Sequence, residues 1–176
     1  MQQPSKFVTV VAWIFIVLSG FGTVISVLQN VMFQTMFRTP EFADAMQAPA
    51  PGMPPFASFM FGHFQVVLLA FLAVSALMLL SSIGLLRRWN WARLTFVGLM
   101  VLAVAWQIVG VVIQFSMFSS MRQQFAAAAT QGTPDMGPFF VAIGVISVIF
   151  ALTFGGLFSW IAAKLMSAPI AAEFRR

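Results

Sequence analysis

The sequence predicts an all-α integral membrane protein: a four-helix bundle of two similar helical hairpins, arranged as a parallel duplication, with N- and C-termini cytoplasmic. Three observations predict it. Residues 7–37, 58–86, 94–121 and 138–164 run without Asp, Glu, Lys or Arg, apart from Lys164 at the end of the last. About 20 apolar residues cross a hydrocarbon core of about 30 Å, so each stretch is a span. The basic residues fall on alternate connections, and the second half of the chain repeats the order of the first.

Composition leaves little outside the bilayer. Hydrophobic residues make up 61% of the 176, and charged residues 7%, whereas a soluble domain carries about 25% charged residues. The single membrane domain, residues 1–176, then has outer loops at 38–57 and 122–137, a cytoplasmic turn at 87–93 and a cytoplasmic tail at 165–176. The net charge of +5 belongs to that arrangement and not to a nucleic-acid surface. Lys6, Arg87, Arg88, Arg93, Lys164, Arg175 and Arg176 lie on one side, and Arg38 and Arg122 on the other with Glu41, Asp44 and Asp135. Under the positive-inside rule the first side is cytoplasmic.

The first span follows Lys6 and continues past Leu28 to Phe37 with no Ala-x-Ala cleavage site within the run. A secretory leader has an apolar region of only about 7–15 residues, so this segment reads as an anchor. At 1.5 Å per residue it would measure about 46 Å, enough to tilt and to reach the outer interface. One of its faces carries Ser19, Gly22, Thr23 and Ser26, continuing toward Gln29 and Asn30.

The second and fourth spans open on prolines. Pro tolerates the first turn of a helix and not its interior, so Pro55 and Pro138 are expected helix starts. The third span puts Ala103, Gln107, Gly110 and Gln114 on one side. The fourth has Ser147, Ala151, Gly155, Ser159 and Ala163 at four-residue spacing. Lipid gives helices no hydrophobic reason to associate, so small residues that permit close approach mark contact faces. That groove serves packing within the bundle or a seam between copies.

The repeat is carried by short matches. Met32-Phe33-Gln34-Thr35-Met36 aligns with Met117-Phe118-Ser119-Ser120-Met121 at an offset of 85, which also puts Gln29 on Gln114. At an offset of 83, residues Pro51-Gly52-Met53-Pro54-Pro55-Phe56 share four of six positions with Pro134-Asp135-Met136-Gly137-Pro138-Phe139. Two-span repeats enter from the same side, so their axis would lie along the membrane normal.

Between the central spans, Arg87, Arg88, Trp89, Trp91 and Arg93 have the make-up of lipid-interface anchors: indoles sit at headgroup depth and guanidiniums meet lipid phosphate. The run Gly84-Leu85-Leu86-Arg87-Arg88-Trp89-Asn90-Trp91-Ala92-Arg93 resembles the middle turn of small uncharacterised four-span bacterial inner-membrane proteins. The resemblance covers this turn and the general layout; it implies the bacterial inner membrane and no activity.

For chemistry the chain offers little. Coupled transporters keep a charged residue at membrane depth, and these spans hold none. Their polar residues include Gln29, Asn30, Gln34, His63, Gln65, Gln107 and Gln114. The candidate intramembrane cluster is Gln29, Asn30, His63, Gln65, Gln107 and Gln114, as interhelical hydrogen-bond formers or as a polar pocket in the outer half. His63 is the sole histidine and reads as an interfacial donor, since zinc needs three or four ligands. Without cysteine there is no thiol, disulfide or iron–sulfur chemistry. Twelve methionines include the i, i+4 pairs Met32/Met36 and Met117/Met121. Thioethers select Cu(I) but also fill irregular apolar gaps, so the pairs are candidates for soft-metal binding or packing.

The expectation is therefore a small membrane protein that is no enzyme and needs no cofactor. It would associate with itself or act as an accessory to another membrane component. The alternative is binding or passage of a small molecule or soft metal ion, Cu(I) or Ag(I), through the outer half of the bundle. Its partners would be the lipid bilayer and membrane proteins, not nucleic acid.

Overall fold

The computed structural model describes residues 5–36, 59–60, 62–129 and 137–174, with backbone alone at Met36 and 120–129. Four long helices, α1 (Lys6–Met36), α2 (Phe64–Leu86), α3 (Asn90–Ala129) and α4 (Gly137–Met166), precede a short α5 (Ala168–Ala172). Each of the four contains a segment long and apolar enough to cross a membrane, and this is a membrane protein. Their side chains face outward over most of the length; Phe21 and Leu152 are about 70% exposed. Lipid is as apolar as leucine, so such exposure is no penalty there.

Helix ends differ from the charge-free runs in instructive ways. α3 starts at Asn90, so only Arg87–Trp89 form the turn, and Trp91 and Arg93 belong to the helix. It also continues through Arg122-Gln123-Gln124-Phe125 and four alanines, a polar but strongly helix-forming sequence. Residues 122–129, expected as loop, are therefore helical: charge ended the apolar run without ending the helix. α2 starts at Phe64 after a turn at His63, and Phe59, Met60 and Gly62 before that turn are helical too. Pro138 is the second residue of α4, where its missing N–H costs nothing. Pro55 and the 51–56 half of the repeated motif lie outside the described residues. Within the expected tail, extended backbone at Ser167 breaks the helix before Pro169 helps start α5.

The chain divides into two compact units, Met1–Leu99 with Lys164–Arg176, and Met100–Ala163. In the first, α1 and α2 pair as a hairpin. The Thr23 and Ser75 hydroxyls are 3.1 Å apart, and Ser75 Oγ donates to the Ser19 carbonyl at 3.4 Å. Gly22 makes room for this, because a Cβ there would lie 3.1 Å from Ser75 Oγ. Asn30 Nδ2 donates to the carbonyls of Ser26 on its own helix and of Leu68 across the pair. The unit's core gathers Val8, Ala12, Leu85, Phe96, Leu165 and Phe174, all essentially fully buried. Phe15 meets Phe96 edge-on at 5.0 Å.

In the second unit α3 and α4 pair in the same manner. Gln114 Nε2 donates to Ser147 Oγ at 2.8 Å. Gly144 lies against the Phe115 ring. A tilted ring pair occurs in each hairpin, Phe33–Phe64 at 5.4 Å and Phe118–Phe140 at 5.5 Å. Phe33 and Phe118 are the equivalent positions of the repeated Met-Phe motif.

Candidate functional site

The densest polar arrangement among the described residues lies at the turn between α2 and α3, and its geometry follows from how α2 stops. The Arg88 N–H bonds to the Leu85 carbonyl and the Trp89 N–H to that of Gly84. This pair of bonds is a Schellman closure, which needs a left-handed residue after the cap. Arg88 takes that place at φ 58°. A glycine would do so without strain; the arginine side chain has a use that offsets it.

That use is a network of four bonds, three of them made by the guanidinium. Arg88 Nη1 donates to Glu173 Oε2 in an ion pair. Nη2 reaches the Ser5 carbonyl at 3.3 Å and Thr9 Oγ1 at 3.5 Å. Glu173 Oε2 also accepts the Ser5 N–H at 3.2 Å. The start of α1, the central turn and the segment after α4 are thus joined through one guanidinium and one carboxylate. Both side chains are about four-fifths buried, so solvent screens the pair less than a surface one. Phe174, 1% exposed, lies beneath two guanidiniums, with Arg88 and Arg93 Cζ atoms 5.8 and 5.6 Å from its ring centre. Lys164 Nζ stands 5.8 Å from the Phe7 ring centre.

The five expected anchors therefore divide. Arg87 is exposed with its guanidinium 5.2 Å from the Trp89 ring centre, and the exposed Trp89 and Trp91 rings lie 5.8 Å apart. Arg88 is turned inward to Glu173, and Arg93 donates to Asn90 Oδ1 while covering Phe174. The sequence does not show this division, because Glu173 lies in the expected tail, 85 residues from Arg88. An acid flanked by a buried-type aromatic, in a region otherwise basic, was the available signal.

The polar residues of the spans are used within hairpins rather than as one cluster. Asn30 is buried and bonded to Leu68, and Gln114 is bonded to Ser147. Gln29, Gln34 and Gln65 are exposed. His63 is exposed too; its Nδ1 meets the Phe59 carbonyl at 3.0 Å and its ring stacks on Phe59. Gln107 Oε1 is buried without a donor among the described residues, beside Gly155, where a Cβ would lie 3.3 Å away. In the α4 row, Ser147 and Gly155 face α3, Ala151 is half-buried, and Ser159 and Ala163 are exposed.

Of the methionine pairs, Met32 is 56% exposed and Met117 half-buried; the side chains of Met36 and Met121 lie outside the described residues. Among the described residues no group of three or more His, Cys, Asp or Glu could hold a metal. A cavity of about 390 Å³ opens between α3 and α4, lined by Phe115, Phe118, Phe140, Val145 and Ile149 among others, with Ser119 the single hydroxyl. No methionine is among its described lining. No family model matches this chain, and neither a curated protein nor a solved structure does.

Proposed function

We propose that this is a non-catalytic protein of the bacterial inner membrane, with both termini cytoplasmic, that acts by associating with a second copy or with another membrane protein. The observation that carries the reading is the use of its polar residues. Thr23, Ser75, Asn30, Gln114 and Ser147 are engaged in helix-to-helix bonds, a structural role worth about 0.6 kcal/mol each on average in membranes. The α4 row of small residues supports association, because its Ser159 and Ala163 are exposed, as is Gly156 beside the row. Contact of Ser5 and Arg88 with Glu173 supports placing both termini with the basic turn on one side.

The decisive experiment is purification from the native membrane in mild detergent, with mass spectrometry of what co-purifies and the mass of the complex. A partner, or a defined oligomer that Ser159→Leu weakens, is the expected result. A monomer with nothing attached at every detergent-to-protein ratio refutes the reading. The cavity between α3 and α4 favours a second reading, binding of a small apolar molecule. Its ring-lined walls suit that better than a soft metal ion. Protection of a cysteine at Val145 by a bound apolar probe would distinguish it.

A further inference from the structure

We propose that Ser5, Thr9, Arg88 and Arg93 form a phosphate-binding site, which Glu173 and Phe174 hold closed, and that its ligand is the phosphate of an anionic lipid headgroup. The donors are of the right kind. A guanidinium Nη1 and a backbone N–H converge on one oxygen of Glu173, and the same guanidinium is oriented by the Ser5 carbonyl and Thr9 hydroxyl. Guanidinium and backbone N–H groups bind phosphate oxygens as they bind carboxylate oxygens, through charge-assisted bonds. Such a site is occupied here by the chain's own anion.

Charge balance points the same way. Among the described residues Glu173 is the only acid, and it shares its unit with Lys6, Arg87, Arg88, Arg93 and Lys164. One carboxylate on Arg88 leaves this end strongly cationic. Basic pockets of this kind on the cytoplasmic side of membrane helices recognise anionic headgroups. The form of the occupant also matches: Glu173 supplies an anion and the adjacent Phe174 an apolar group, seated under two guanidiniums. A phospholipid offers the same sequence of charge and hydrocarbon. Exposed Trp89 and Trp91 beside the site mark headgroup depth, where lipid phosphates lie. The closing segment is short, formed by α5 and the two residues after it, and set off from α4 by extended backbone at Ser167.

The test uses the full chain in nanodiscs. Native mass spectrometry would count dioleoylphosphatidylglycerol retained by the wild type, Glu173→Gln and Glu173→Gln/Arg88→Gln. Freeing the site should raise retention in the single variant roughly tenfold, the size of one charge-assisted bond, and the double variant should lose that gain. Both variants carry the same loosened segment, so a merely structural role for Glu173 would affect them alike. In a second measurement Ile170→Cys, the sole thiol of its chain, is labelled with a maleimide. Labelling faster in phosphatidylglycerol than in phosphatidylcholine supports displacement of the segment by the headgroup. Acceleration by inorganic phosphate in phosphatidylcholine discs assigns the site to free phosphate as well. Retention that is equal in the wild type and Glu173→Gln, or a gain that survives loss of Arg88, overturns the proposal.

Discussion

Arg88 and Glu173, 85 residues apart, form the ion pair that ties the central turn to the C-terminal segment. The arginine occupies a left-handed backbone position that closes α2, so one residue ends a helix and anchors the chain's far end. Its two roles separate by substitution. Arg88→Gly loses the guanidinium and relieves the left-handed strain, whereas Arg88→Ala loses the guanidinium and keeps the strain. Arg88→Ala should be less stable than Arg88→Gly by about 1 kcal/mol, and both less stable than wild type, read as thermal unfolding in detergent. Equal stability of the two would contradict the role of the positive φ.

Gly84 permits the close approach of α3 to the end of α2. A Cβ at this position would overlap that of Ala92, and both residues are fully enclosed. Gly84→Ala should destabilise by about 1–3 kcal/mol through overpacking. Gly84→Ala/Ala92→Gly should recover most of the loss, since it returns the missing volume. A double variant no better than the single one would mean that the collision is not the cause.

Asn30 and Gln29 are adjacent amides with different surroundings. Asn30→Leu removes the bonds to Ser26 and Leu68 and should cost about 0.6 to 1.7 kcal/mol, the range for interhelical bonds in membranes. Gln29→Leu, at an exposed position, should be neutral or stabilising in detergent-resistance assays. A larger effect at Gln29 would contradict the rotation of α1.

The neighbouring glycines of α4 make a similar contrast. A side chain at Gly155 must displace Gln107 Oε1, while nothing lies within 4 Å of a Cβ at Gly156. Gly155→Leu should lower the unfolding temperature of the purified protein, and Gly156→Leu should leave the α3–α4 pair intact. If association runs through the exposed row, Gly156→Leu would instead reduce oligomer mass, so size and stability should be measured together.

Much of the fold is determined by the sequence alone, for a simple reason. Hydrocarbon excludes unpaired backbone groups and charge, so four long charge-free runs leave four helices as the workable arrangement, and the repeated Met-Phe motif reports their pairing. The ends of those helices were less legible. Residues 122–129 are polar yet strongly helix-forming, and composition alone cannot distinguish such a helix from a loop.

The side-chain partnerships were decided only by the tertiary structure. Gln29 matched Gln114 in the repeat, but Asn30 is the amide that reaches across its hairpin, because one residue along a helix turns a side chain to another face. Arg88, Trp89, Trp91 and Arg93 form one basic and aromatic run, yet the left-handed turn directs Arg88 inward and leaves Trp89 and Trp91 outside. Local pattern specifies what a helix is and where it can lie. Which charge meets which depends on bringing Ser5, Arg88 and Glu173 together from three distant parts of the chain, and nothing in their local sequence encodes that distance.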